Sequence, residues 1–316
     1  MQPETLKKYQ TRARNFYRDH CNGSATDSAQ ICAAMVALAP QYVSSSFRVL
    51  KNALAVDQLA RGNPVAAEAI RSVTNPVTAP GSTMPRKPRP RRVRSVSKQD
   101  VALLVEHLSD TGCSDEWAAV MLAYVTGARP CEMRSIEVEG NLVTIRGGKK
   151  SRKLKRGADR VLLIENRKAL KAVTLAVERL RHTARSDTAI RDALRKACRQ
   201  LWPRRKVQLT LKSLRHQLGA NLKASSGSPR HLAYIMGHQS TESIDVYGDR
   251  RKGEGRKLYV APANDTDVEK VRASAREARY GRRHDRVVVG FDDGAPGTTP
   301  LGRFIRRWER EQGSRR

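Results

Sequence analysis

The chain has 316 residues, room for two domains and an ample core. Its 61 Lys plus Arg against 31 Asp plus Glu give a formal net charge of +30, an excess that argues for a polyanionic partner but not for any particular fold. It has no run of eighteen apolar residues, no lipidation signal and no signal-peptide core, so nucleic acid is expected as the partner and a membrane is not. Five scattered cysteines (Cys21, Cys32, Cys113, Cys131 and Cys198) are odd in number and form no CxxC pair. They read as reduced thiols, and no metal-ligand spacing is present.

Residues 4 to about 73 read as helices. Leu6, Tyr9, Ala13 and Phe16 form one apolar stripe, and Ile31, Met35 and Leu38 a second. Phe47, Leu50, Leu54 and Leu59 form a third, and Pro64 opens a fourth helix. With no strand signal, residues 1–75 are expected to be a small helical bundle. Residues 76–96 turn rich in proline and then strongly basic, through Arg86, Lys87, Arg89, Arg91, Arg92 and Arg94. Alternating prolines hold such a stretch extended, so it reads as a linker whose Arg91, Arg92 and Arg94 track a phosphate backbone.

From residue 97 a second domain begins. Ser97 is expected to cap a helix through Val101, Leu104 and Leu108, and Ser114 a helix through Trp117, Val120, Met121 and Tyr124. The junction TGARPCEMRSI sets Arg129 at the start of a further helix, where a helix dipole would also favour an anion. Asn141–Ile145 and Val161–Ile164 read as two strands joined by the segment RGGKKSRKLKRGADR. Such a hairpin suits a finger reaching into DNA, with Lys150, Arg152 and Lys153 as candidate phosphate contacts. Residues 165–205 read as two helices, with Leu170, Val173, Val177 and Leu180 on the inner face of one and Ile190, Leu194, Ala197 and Leu201 on that of the other.

Thr210 to Asp249 carry the densest signal. Leu211, Leu214, Leu218 and Leu222 give a helix with one buried stripe, and Lys212 and Arg215 lie three apart on another face. Ser228-Pro229 starts a second helix, which stops at Gly237 with His238 directly after. Ser240 or Thr241 caps a third short helix that delivers Tyr247, nine positions beyond His238. The segment after Tyr247, GDRRKGEGRK, is expected to be too charged and glycine-rich to pack. Beyond it, Asp267–Tyr280 reads as a helix with a thin face of Val268, Val271 and Ala275. RVVVGF (286–291) reads as a short strand, Arg303–Gln312 as a basic helix, and a disordered basic tail is an equal alternative.

The runs SLRHQLGANL and YIMGHQSTESIDVYGD, preceded by TGARPCE, resemble the catalytic boxes of the tyrosine recombinase (phage integrase) family. The match covers residues 97–250 well and the N-terminal bundle only in position and helix count. The implied fold is mostly α with a small β-hairpin or sheet: a helical DNA-clamping domain (1–75), the linker (76–96), an α+β catalytic domain (97–260) and a basic tail (261–316) that is either exchanged between subunits or disordered. The implied site is Arg129, Arg215, His238 and the nucleophile Tyr247, with Glu132 as supporting acid. The hairpin lysine is Lys149, or Lys150 as the alternative. The family usually has histidine three residues before the second arginine, and this chain has Lys212. A lysine is ordinarily charged near neutrality, so Lys212 is expected to donate to the phosphate and not to act as a base. Tyr259 is the alternative nucleophile.

The resemblance implies site-specific cleavage and rejoining of double-stranded DNA through a 3′-phosphotyrosine, with no metal, cofactor or ATP. It also implies a homo-tetramer on two DNA sites, room for accessory DNA-bending proteins, and a cytoplasmic, nucleoid-associated location. Two other readings share the fold: a type IB topoisomerase-like nicking-closing enzyme, and a catalytically silent DNA-binding protein.

Overall fold

Proline and short polar residues punctuate the first seventy residues into four helices: α1 (Pro3–His20), α2 (Ser28–Leu38), α3 (Ser44–Ala60) and α4 (Pro64–Ser72). Asp27 starts α2 by accepting hydrogen bonds from the Ala29 and Gln30 N–H groups at 2.9 and 3.0 Å. The computed structural model describes residues 1, 3–25, 27–93, 95–148, 157–225, 228–254 and 260–274. It divides between Met1–Arg91 and a unit running from Arg92 onward.

The core of the first unit is Phe16, Ile31, Met35, Leu50, Leu54 and Ile70, each worth about 1.5–3 kcal/mol when withdrawn from water. Leu59 does not join it and is 44 % exposed. Five residues beyond Leu54, it is rotated about 140° from the stripe. The inward position in that turn is Gln58, whose amide donates to the Tyr17 hydroxyl and the Ala25 carbonyl. Val77, inside the stretch read as a linker, is also buried in this core.

The second unit begins with Val96 buried and α5 (Lys98–Asp110) capped by Ser97, whose hydroxyl accepts from the Asp100 N–H. Next comes α6 (Ser114–Val125), buried on all sides and packed by α5, α8 (Arg167–His182) and α10 (Leu211–Ala224). An apolar helix without a polar face belongs at the centre of a core. Ser114 does not cap α6: the helix begins at Ser114 itself, and Cys113 holds the cap position without a side-chain bond. After the four-residue α7 (Pro130–Met133) come β1 (Ile136–Glu139), β2 (Leu142–Ile145) and β3 (Arg160–Leu163), and later β4 (Ala261–Pro262). They form one antiparallel sheet in the order β1-β2-β3-β4, with Ile145 opposite Arg160. The outer strands β1 and β4 were not anticipated, because one is four residues with two glutamates and the other is two residues with a proline. The helices α9 (Asp187–Leu201), α11 (Pro229–Ile235) and α12 (Asp265–Glu269) complete the unit. The last is shorter than the helix expected there, though Val268 and Val271 are buried as expected. Ala275, the strand at 286–291 and the helix at 303–312 lie outside the described residues.

Residues 248–254 of the segment after Tyr247 pack, contrary to their composition, and residues 255–257 lie outside the described residues. Gly248 sits at φ +63°, and a Cβ there would meet the Ala220 backbone of α10. Lys223 donates to the Gly248 carbonyl at 2.9 Å, and Gln217 to the Lys252 carbonyl at 2.8 Å. Asn221 accepts from the Glu254 N–H at 3.1 Å. The other end of the Gln217 amide accepts from the Val96 N–H at 2.7 Å. Backbone polar groups and glycine-sized gaps hold this segment, so no apolar pattern announces it.

Candidate active site

Helix α10 opens with Thr210, whose hydroxyl accepts from the Ser213 N–H at 3.1 Å, and buries Leu211, Leu214, Leu218 and Leu222 as expected. Arg215 is buried as well, at 3 % exposure. Its guanidinium donates to the carbonyls of Gly127, just before Arg129, and Met236, at the end of α11. A single side chain therefore ties three chain segments together. Helix α11, capped by Ser228, ends in a backbone-locked turn. The Gly237 N–H donates to the Tyr234 carbonyl and the His238 N–H to the Ala233 carbonyl, both at 2.8 Å, with Gly237 at φ +60°. His238 is fixed by the main chain and is 5 % exposed, with Nε2 at 3.4 Å from Arg215 Nη2.

A 3-10 turn, Thr241–Val246, capped by Ser240, delivers Tyr247. The half-buried phenol ring lies 4.8 Å from the His238 ring, centroid to centroid, and 4.7 Å from that of His216. The Arg215 guanidinium carbon is 5.2 Å from the ring centre. Gly219 allows this approach, since a Cβ there would come 3.2 Å from Tyr247 Cβ.

Glu132 anchors the other side. Its fully buried carboxylate accepts from Arg129 Nη1 at 2.5 Å, the Arg129 N–H at 3.0 Å, Arg160 Nη2 at 3.1 Å and the Gly148 N–H at 3.4 Å. Burial works to raise this carboxyl, but Arg160 and Arg129 outweigh it and hold it down at about 2. The α7 dipole contributes little to Arg129, because α7 is a single turn; the Glu132 pairing positions it instead. Arg160 is fully buried in β3 and presses on the His238 turn, where a Cβ at position 237 would come 2.5 Å from its Nη1.

Two guanidinium groups, Arg129 and Arg160, thus bind one carboxylate, a third, Arg215, lies within reach of all three charges, and these fields act on every neighbour. Burial, then Arg129 and Arg160, lower Arg215 to about 10. Burial, then Arg215, Arg129 and Arg160, lower His238 to about 2, so its ring is neutral. Burial would raise the Tyr247 phenol, but Arg215, Arg129 and Lys212 draw it below its ordinary value. Arg160 Nε and Nη1, Arg215 Nε and His238 Nδ1 are buried without a hydrogen-bond partner among the described residues.

The structure brings Arg129, Glu132, Arg215, His238 and Tyr247 together. Lys212 is exposed on α10, close enough for its charge to act on Tyr247 and His216. Arg91 and Arg92 are exposed. Lys149, Lys150, Arg152, Lys153, Arg94 and Tyr259 lie outside the described residues. Two cluster members were not singled out from sequence. Arg160 is a charge at an inward position of β3 (RVLL), on the same face as Leu162, with buried Ile164 just past the strand's end. His216 directly follows Arg215, in a triplet already picked out for its arginine.

The family model for the phage integrase family matches residues 94–254. The chain belongs to that family. Membership ties this protein to DNA recombination and integration. Among solved structures, a lambda integrase tetramer bound to a Holliday junction is similar at 17 % identity and a TM-score of 0.53, over 82 % of this chain and 75 % of that one. Lambda integrase residues 75–356 bound to DNA are similar at 15 % identity and a TM-score of 0.53, over 82 % and 91 %. The Tn1549 transposon integrase in complex with transposon right end DNA is similar at 13 % identity and a TM-score of 0.51, over 79 % and 90 %. At these identities the likeness concerns the fold: a mostly helical unit carrying a small antiparallel sheet. No curated protein matches. Among the described residues, no helix is long and apolar enough to cross a membrane.

Two predictions follow from the charge cluster. Arg160→Met strands the buried Glu132 carboxylate with one cationic partner fewer, a class of change that costs about 3–5 kcal/mol. Thermal unfolding should show a clear drop in Tm, and an unchanged Tm would remove Arg160 from the framework. The second concerns pH. Glu132, His216 and His238 have folded values (about 2, 4 and 2) below their ordinary values of 4.5, 6.5 and 6.5. The unfolded chain therefore holds more protons as acid is added, and stability present above pH 6.5 is lost as pH falls through these windows. Melting curves at pH 7, 5.5 and 4.5 should fall progressively, and His238→Gln should flatten the slope below pH 6.5.

Proposed function

We propose that this chain is a site-specific DNA recombinase in which Tyr247 cleaves the DNA backbone. The observation that carries this reading is the phenol ring set against Arg215 and His238, inside a cluster of three arginines and one carboxylate. A phosphodiester is shielded by its own negative charge, and a surplus of buried positive charge is what its transition state requires. Arg129 and Arg215 grip the non-bridging oxygens as planar, permanently charged donors, and the neutral imidazole of His238 supplies a further hydrogen bond.

In this mechanism the Tyr247 phenol gives its proton to water, its oxygen attacks phosphorus, and the bond to the 5′ oxygen breaks. A hairpin lysine, Lys149 or Lys150, gives that leaving oxygen its proton. The products are a 3′-phosphotyrosine and a free 5′-hydroxyl. The phosphoester bond count is conserved, so religation needs no external energy source. Lys212 hydrogen-bonds the phosphate and stabilises the forming phenolate. Arg91, Arg92, Arg94, Lys150, Arg152 and Lys153 hold flanking phosphates, and the N-terminal bundle clamps the duplex. A homo-tetramer on two DNA sites completes strand exchange, as the lambda integrase tetramer on a Holliday junction suggests by analogy.

A nicked suicide substrate tests the nucleophile. The wild-type chain should form a protein–DNA adduct that survives denaturation, and Tyr247→Phe should abolish it while retaining DNA affinity; an undiminished adduct would move the nucleophile elsewhere. Arg129→Lys and Arg215→Lys keep the charge but lose the fork, and each should slow cleavage about a hundred- to thousand-fold. Supercoil relaxation beside a two-site recombination assay separates recombinase, nicking-closing enzyme and silent binder.

Lys212 has its own test. Lys212→Ala should slow cleavage less than loss of either arginine, and Lys212→His should stay active with a new pH dependence near 6 to 7. A Lys212→Ala protein as inactive as Tyr247→Phe would make the lysine a proton carrier.

A further inference from the structure

Among the described residues, His216 is the ring neighbour of Tyr247 that the proposed chemistry leaves without a task. Its imidazole lies 4.7 Å from the phenol, centroid to centroid, with the planes only 23° apart, the offset-stacked arrangement that aromatic pairs favour. His238 approaches the same ring at 46°. His216 follows Arg215 on α10 and lies one turn beyond Lys212, so its placement comes from a rigid helix. The residue is half-buried, and its Nε2 is buried with no hydrogen-bond partner among the described residues.

We propose that His216 is a positioning residue, a stacking platform that holds the Tyr247 phenol in its attacking place beside Arg215 and His238. The inference rests on Tyr247 being the nucleophile. A tyrosine at the end of a 3-10 turn has two free side-chain torsions, and backbone anchoring at Gly248 does not fix them. Contacts from His216, His238 and Arg215 do.

Two alternatives are disfavoured by what surrounds the ring. A proton acceptor must aim an in-plane nitrogen lone pair at the hydroxyl, and stacked rings aim theirs past each other. Burial and the charges of Lys212, Arg92, Arg215 and Lys223 also push the imidazole down to about 4, leaving it a poor base and an uncharged surface near neutrality. A cation at this position would add to the charges already facing the ring. Histidine offers a flat face without one.

The test uses the full-length protein and single-turnover adduct formation on the nicked substrate. His216→Ala should slow adduct formation about ten- to hundred-fold, the loss that misplacing a reacting group by an ångström can cause, while DNA affinity stays within about two-fold of wild type by the same positional logic. His216→Phe should restore the rate to within a few-fold and keep the wild-type pH profile. His216→Leu fills the space without a flat face, so it should hold the wild-type Tm and remain slow. A wild-type rate in His216→Ala, or full rescue by leucine, overturns the platform. So does a His216→Phe protein as slow as alanine with one ionisation missing from its pH profile, which would make His216 a proton carrier. A persistent adduct in Tyr247→Phe would instead overturn the nucleophile assignment, and that result is read in a different variant.

Discussion

The buried Glu132 carboxylate is the constraint on which the second unit depends. It is fully enclosed, and so is its partner Arg160, with Arg129 on the other side. A buried ion pair rarely stabilises a fold more than a well-packed apolar pair of the same size would, but breaking one is costly. Here the pair joins α7, β3 and, through the contact of Arg160 with Gly237, the turn that carries His238. Arg215 then ties that turn back to Gly127. The elements that carry Arg129, Arg215 and His238 are therefore one cross-linked object, and none can shift alone.

The same framework leaves charge uncompensated. One carboxylate is set among three guanidinium groups, and Arg160 Nε and Nη1 and Arg215 Nε are buried without a hydrogen-bond partner among the described residues. Burial first, and then that surplus felt through low-dielectric surroundings, lower Arg215 and His238, while for Tyr247 the surplus prevails against burial. A site strained in this direction is relieved by an anion. The net charge of +30 points the same way, but only the buried cluster localises the surplus to one place.

Much of this was legible in the sequence, and the misses share a cause. Apolar periodicity marks α1 to α3, α5, α6 and α8 to α10, Pro64 marks α4, and the family resemblance marks Arg129, Glu132, Arg215, His238 and Tyr247 as one group. Leu59 was placed inside because it is apolar, although its spacing from Leu54 already turned it outward. The packing of residues 248–254 was hidden because it uses main-chain groups and the absence of side chains at Gly248 and Gly253. Arg160 looks like one more cation in a basic hairpin, and only strand alternation sets it apart as pointing inward. Composition misleads where backbone geometry or register decides, and register could have been read at Arg160.

The replacement of the usual histidine by Lys212 fits this electrostatic design. In the free protein the arginines and Lys212 already draw the phenol below its ordinary value, against the opposing effect of burial. On the proposed mechanism, an incoming phosphate carries negative charge to the same place and pushes the phenol back up. What the nucleophile then needs is positive charge that persists when the phosphate is bound, and a lysine keeps its charge near neutrality where a histidine would lose it. The cluster can in this way favour the phenolate without a dedicated base. On the same proposal the remaining requirement is orientation, met by the stacked ring of His216 on α10 and the locked turn at His238 after α11.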